Sequence, residues 1–468
     1  MIPPDAFKAL DALRATTAEW ATEIDLSNEY LSNLFDQFGE EDMLLTIEDM
    51  LLHLDAYVCA NPLAFSAPDF HDAVRCVLHE YFEGMQAFDT SNLDLEADAL
   101  CQFCEALYFR CAVPPRESGS TFIRKAPNVP VIDAKLARIR AKPQPDQRTP
   151  EWYRFRHNLL TASNAWKAFE SQACRNQLIY EKCKPLLQCG QEREYVNTAS
   201  PMHWGQKYEP VSRMIYEHLY QTKVDDFGCL QHDAHAFLGA SPDGINVDPA
   251  SQRYGRMLEI KNIVNRDITG IPKKEYWIQM QLQMETADLN ECDFLETQFS
   301  EEGDDDPRDP INALMTGTMI YFMKDGRPHY EYEPIGSKTE AWFNDAMERN
   351  QAHMWMKTIH WRLEKMSCVL VLRNRLWFQH AIPVLADVWQ TVETERANPL
   401  DQEHRAPKRR LNATNAAANT ANTAANTANT ATNAATNAAT NTFMQSWLKK
   451  ANPEPVIERK CLINMDML

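Results

Sequence analysis

The sequence predicts an α/β domain with helical segments before and after it. Three observations point there. From QRTPEWYRFRHNLLTASNAW onward, helical and strand-like segments alternate to about residue 300, the pattern of a sheet covered by helices. Ahead of it, residues 5–112 place apolar residues three and four apart, as in EDMLLTIEDMLLHLDAYV, which is helical periodicity. After it, two β-prone runs in MTGTMIYFMKDGRPHYEYEPI join at Lys324-Asp325-Gly326, a hairpin signal. Long helical patterns then run from about 338 to 396.

These readings divide the chain. Residues 1–112 form an acidic helical N-terminal domain, and 113–147, rich in Pro, Ser and charge, form a linker. Residues 148–335 hold the α/β core and 336–400 a helical extension. Residues 401–442 join a basic stretch to a tract of Asn, Ala and Thr. That tract has no large apolar residue before Phe443 and reads as a disordered linker. The tail, 443–468, opens with FMQSWLKK, whose Phe443, Trp447 and Leu448 suit a docking peptide. Lys408, Arg409 and Arg410 read as a solvated charge run ahead of a nuclear-localisation signal.

A chain of 468 residues exceeds one small core. MIPPDAFKAL lacks the basic and apolar regions of a signal peptide, and no apolar run approaches the ~20 residues of a membrane helix. Twelve scattered Cys suggest reduced thiols in a soluble intracellular protein. The net charge of -19 would repel phosphates if spread evenly. It is not. Residues 1–112 hold 22 acids against 4 bases, leaving 44 acids and 43 bases for the rest. A local basic groove for DNA remains open to the C-terminal three quarters.

Chemistry concentrates in FLGASPDGINVDPASQRYGRMLEIKN, residues 237–262. Pro242 and Gly244 bracket Asp243 at a turn, and MLEIKN reads as a buried strand. Side chains alternate faces along a strand, so Glu259 and Lys261 share one. If VDPASQRYGR folds back as a hairpin loop, Asp243 comes beside Glu259, with Lys261 next to both. Two carboxylates with an ammonium suit one or two Mg²⁺ or Mn²⁺ ions acting on a phosphodiester. The ammonium would offset developing charge. An E-x-K on a surface strand is the plain alternative.

The order of motifs narrows the choice. TPEWYRFRHNLLTASNAW, MHWGQKYEPVSRMIYE, GASPDG with LEIK, and EYWIQMQLQM resemble, in sequence order, the segments of the phage lambda exonuclease and YqaJ-like viral recombinase family, within the PD-(D/E)xK nucleases. The likeness covers residues 148–299, about a third of the chain. It implies a restriction-endonuclease-like core, a mixed central sheet flanked by helices; the all-helical N-terminal domain and mainly helical C-terminal extension rest on periodicity alone.

The resemblance also implies roles. Asp243, Glu259 and the backbone carbonyl of Ile260 would hold metal, and Lys261 would orient the water. Glu209 would join the metal shell directly or through water, against its plain reading as an exposed Glu near a helix start. Gln279 would hold the water or the metal shell. By periodicity Gln279-Met-Gln281-Leu-Gln283 reads as a strand, whereas the family has a helix there; in both, Gln279 and Gln283 face the same way. Arg156, Ser163 and Ser241 would grip a terminal 5′-phosphate. Trp152 and Trp204 read as core packing.

Cys101, Cys104 and Cys111 lie in a helical pattern without the four soft ligands of a zinc or iron–sulfur site, and read as buried thiols. The reaction expected is metal-dependent hydrolysis of linear double-stranded DNA from its 5′ end. The rivals are an endonuclease or junction resolvase on the same metal site, and a non-catalytic DNA-binding scaffold. The resemblance further implies a single-strand annealing protein as partner, a homotrimer and a viral source.

Overall fold

The computed structural model describes residues 29–84, 93–111, 126–147, 149–186, 197–301, 315–336 and 340–398. The basic stretch Lys408–Arg410, the Asn/Ala/Thr tract, the docking peptide around Trp447, the loop 302–310 and the Cys111 side chain lie outside the described residues.

The N-terminal part is helical, as its periodicity requires. Helices α1 (Glu29–Phe38), α2 (Glu40–Ala60), α3 (Phe70–Gly84) and α4 (Leu93–Cys111) pack around Leu34, Met43, Ile47, Leu54, Val74 and Leu100. Glu40, Glu41 and Asp42 occupy the first turn of α2, where acids complement the helix dipole. Cys101 and Cys104 are buried. Burial pushes the Cys101 thiol up to about 12 and Cys104 well above its usual value. Both are inert core thiols.

Part of the expected linker is a helix. Asn128 caps α5 (Val129–Ala141), and Pro130 sits in its first turn, where a missing N–H costs nothing. Leu136 and Ile139 are buried, and Lys135 donates to the Asp288 carbonyl at 2.7 Å.

Two sheets follow. A small one orders β1 (Leu160–Thr161), β4 (Leu238–Ala240) and β3 (Leu230–Gln231), with β1 parallel to β4. Before β1 lies α6 (Pro150–His157); after it come α7 (Ala162–Ala165), α8 (Gln172–Cys183) and α9 (Pro201–Tyr220). The main sheet begins with β2 (Val224–Asp225), β5 (Gly244–Asn246), β6 (Met257–Asn262) and β7 (Glu291–Glu301). β6 and β7 run parallel and every other pair is antiparallel, so the sheet is mixed. Helix α10 (Lys274–Ala287) connects β6 to β7. This is the expected mixed central sheet flanked by helices, with a helical N-terminal part.

The mainly helical extension expected over 336–400 is corrected in part. Only α11 (Glu340–Arg349) and α12 (Arg375–Ala397) are helical; between them β10 (Met354–Leu372) runs for 19 residues. It lies inside the main sheet, between β7 and β8 (Met315–Lys324), with β9 (Arg327–Tyr332) at the edge. Ile359, Trp361 and Leu363 are buried at period two, and the segment is rich in aromatic and β-branched residues. That alternation outweighs the helical pattern on either side. The β8–β9 turn is the expected hairpin, with Asp325 and Gly326 both at positive φ, 50° and 76°.

The alternating glutamines are helical. In α10, Trp277, Ile278, Met280, Gln281, Leu282, Gln283 and Met284 are all buried. A helix covered on every side carries no amphipathic stripe, so its sequence can imitate a strand. No helix of the described residues is long and apolar enough to cross a membrane.

Candidate active site

The predicted fold-back of residues 243–261 is present. β5 pairs antiparallel with β6, Gly244 opposite Leu258. Gly244 is required there by contact, since a Cβ would overlap the Val224 side chain. Just before β5, the Asp243 N–H donates to the Leu258 carbonyl at 3.2 Å, and its carboxylate accepts the Ile260 N–H at 2.7 Å. Asp243 is thereby fixed to the strand that carries Glu259 and Lys261.

Glu259 has no exposed surface, and both of its carboxylate oxygens accept hydrogen bonds. One oxygen accepts from Gln279 at 2.7 Å and from Lys261; the other accepts from Gln283 at 2.7 Å. Lys261 also lies 5.0 Å from the centre of the Tyr276 ring. Burial opposes its charge, but Glu259 and Asp243 outweigh burial and raise its affinity for the proton. Burial, then the Glu259 charge, pushes the Asp243 carboxyl well above the usual range, against the pull of Lys261.

Glu209 comes from α9 and keeps solvent access at the cleft mouth. The protein around it, then Glu259, raises its carboxyl, and Arg213 one turn later opposes the rise. Its helix is held over the strand by Asn262, which donates to the Gly205 carbonyl at 2.9 Å and accepts from Ser212 at 2.7 Å. Behind the strand, Arg256 bonds the buried Asp293 carboxylate at 2.8 Å and Arg253 bonds it too, pinning the hairpin loop. Tyr216 of α9 donates to the same carboxylate at 2.6 Å. Glu209, Asp243 and Ile260 line two clefts, one reaching Met202 and Tyr276, the other Gln147, Arg213 and Phe227. The carboxylates thus stand on the ridge between two openings.

The residues expected at a phosphate pocket lie on the helices and the loop that flank the small sheet. Arg156 stacks 4.6 Å from the centre of the Trp152 ring and donates to the Ser241 hydroxyl at 3.4 Å. Thr161 pairs with Gly239 in parallel strands, so Ser163 and Ser241, two residues on in each chain, leave the same sheet end. Ser163 is exposed and bonds Thr161 at 3.4 Å; no bond joins it to Arg156. Trp152 therefore serves Arg156 as a platform, while Trp204 packs 4.6 Å from Tyr208 in a second core.

Comparison with known proteins bears on the segment that builds this site. Residues 151–290 match the model of the YqaJ-like viral recombinase domain. This segment is similar to that domain. Uncharacterized protein R354 of Acanthamoeba polyphaga mimivirus is 27% identical over 305 residues, covering 56% of this chain and 55% of that protein. The chain thus spans about half the length of that relative. The crystal structure of an alkaline exonuclease, LHK-Exo, from Laribacter hongkongensis shares 21% identity over 55% of this chain and 100% of its own, with a TM-score of 0.35. Its complex with dAMP gives 0.34. All the residues singled out for metal, water and phosphate lie within the matched residues 151–290.

Sequence reasoning assigned no role to several residues that organise this domain. Asn262, Ser212 and Asp293 position the helix and the loop, and Gln283 was noted only for its direction. Asn262 follows Lys261 directly in MLEIKN, a signal that its place on the strand could have raised.

Proposed function

We propose that the chain is a metal-dependent deoxyribonuclease that digests linear double-stranded DNA from the 5′ end. One observation carries this reading: Asp243, Glu259 and Lys261 converge at one hairpin, and Ser241, two residues from Asp243, accepts a hydrogen bond from Arg156.

The donor set fits a hard divalent cation, Mg²⁺ or Mn²⁺, as one or two ions. Burial, then the charges of Glu259 and Glu209, raises the Asp243 carboxyl, and Lys261 and the Ile260 N–H offset only part of that rise. Added positive charge relieves that crowding. Among the described residues no three His, Cys, Asp or Glu stand close enough to hold a metal by themselves, so other oxygens would complete its shell. Asp243, Glu259, the Ile260 carbonyl and Glu209 would hold the metal, leaving open positions for water and phosphate oxygens. When bound, it would supply an activated water and charge stabilisation.

The chain's own groups do the rest. Lys261 neutralises charge that develops on the phosphate. Gln279 and Gln283 hold the Glu259 carboxylate in one orientation. Arg156 and Ser241 receive a terminal 5′-phosphate, with Ser163 at the same sheet end. Gripping the end beside the carboxylates places the first linkage at the site and excludes internal strand.

The test is end-labelled linear duplex with Mg²⁺, carrying either a 5′-phosphate or a 5′-hydroxyl, alongside closed circles. Early loss of the 5′ label, preference for 5′-phosphate and intact circles are expected. Efficient cutting of circles would establish the endonuclease reading instead. A single-strand annealing protein as partner and a homotrimer, both implied by the family resemblance, complete the proposal; sedimentation of the full chain tests the second.

A further inference from the structure

We infer that Lys182 is a positioning residue of the 5′-phosphate site, supplying a buried cation behind the half-buried Arg156 that strengthens the hold on a phosphorylated end. This rests on the end-recognition reading above.

Lys182, near the end of α8, is 9% exposed, and its ammonium donates to the main-chain carbonyl of Arg156 at 3.0 Å. The Arg156 guanidinium in turn reaches Ser241. Cys229 lies between these groups, with its thiol bonded to Ser241 and Arg156 and in the field of Lys182. From α12, Arg396 donates to the carbonyls of His157 and Lys182, each at 2.7 Å, and packs against the His157 ring. Three cations therefore gather at one place.

Among the described residues, none of the three pairs with a carboxylate. Glu181, next in sequence to Lys182, is turned away to Lys167 at 3.0 Å and Gln177 at 2.7 Å. Glu393, on the Arg396 helix, accepts from Trp389 at 2.8 Å. Buried cations that lack an internal anion are costly. A terminal phosphate, with close to two negative charges above its second ionisation near pH ~6, is the counter-charge this cluster lacks.

The arrangement has a pH signature. Burial, then repulsion from Arg156 and Arg396, lowers Lys182 to about 8, while burial raises the Cys229 thiol and keeps it neutral there. Lys182 loses its charge as pH rises through about 8. The substrate phosphate does not change charge in that window.

The experiment compares kcat/KM for 5′-phosphorylated and 5′-hydroxyl duplex between pH 6.5 and 9.5, using the full chain with Mg²⁺. Taking the ratio cancels titrations common to both substrates. In the unaltered protein the preference should fall as pH rises through about 8. Lys182→Met should lower it about tenfold at neutral pH, as expected for one charge-assisted contact. That change should appear in KM, with kcat held and the pH slope flattened. Lys182→Arg should keep the preference and flatten the slope, since Arg does not titrate there. Circular dichroism melts show whether the variants fold. An unchanged preference and slope in both folded variants overturns the proposal alone. An unaltered protein indifferent to the 5′-phosphate overturns the end-recognition reading, and this proposal with it.

Discussion

The side-chain amide of Gln283 donates to the main-chain carbonyl of Ser241 at 3.1 Å, and the same nitrogen reaches Glu259 at 2.7 Å. One buried side chain thus joins the proposed phosphate pocket to the carboxylate of the metal site. In the proposed function, this bond helps set the distance from the gripped end to the reacting linkage.

Gln283→Ala leaves two buried acceptors without a donor. The cost in stability should be about 1–3 kcal/mol, the range for unsatisfied buried polar groups, measured by urea denaturation. Activity should fall further than stability explains, and 5′-phosphate preference should fall with it. A variant that loses activity but keeps full preference would show the two sites to be independent.

Lys261→Ala should reduce cleavage by about 100- to 1,000-fold, the usual effect of losing one preorganised charge-stabilising group. Binding to duplex, read by gel shift with Ca²⁺ in place of Mg²⁺, should persist. Unchanged cleavage would remove Lys261 from the mechanism.

Asp243 links metal binding to pH. Its folded carboxyl lies well above the usual range, while in the unfolded chain it titrates near ~3.9. Between those values the folded state holds the extra proton, so its stability without metal falls as pH rises through the window. A bound divalent ion favours the charged carboxylate and opposes that loss. The rise in melting temperature produced by Mg²⁺ should therefore grow with pH across this window. In Asp243→Asn the pH dependence of that rise should vanish, as differential scanning fluorimetry would show.

The placement of β10 can be tested at Gly317, which faces Trp361 across the β8–β10 pair. A Cβ at Gly317 would overlap the indole ring. Gly317→Ala should destabilise the fold by about 1–3 kcal/mol, as overpacking does. Trp361→Ala should cost about 3–5 kcal/mol. In the double variant the Gly317→Ala penalty should largely disappear, because the clash has lost its partner.

By itself the sequence determined the chemistry of the hairpin. Asp243 at a turn, Glu259 and Lys261 two apart on a strand, and a loop between them are local features, governed by backbone periodicity and turn residues. The acidic helical N-terminal part and the Asp325-Gly326 turn were legible for the same reason. Only the tertiary structure decided which glutamines serve the site. Gln279 and Gln283 meet Glu259 because α10 is helical, while Gln281 turns away to bond the Leu372 carbonyl at 2.9 Å and the Asn374 N–H at 2.7 Å. The same holds for β10, read as helix but drawn into the sheet by partners on β7 and β8, and for Lys182, whose only marked neighbours are distant in sequence. Local pattern specifies which way a side chain leaves the backbone; what it meets there depends on contacts that span from 20 residues, as for Gln279 and Glu259, to 93, as for Gln281 and Asn374.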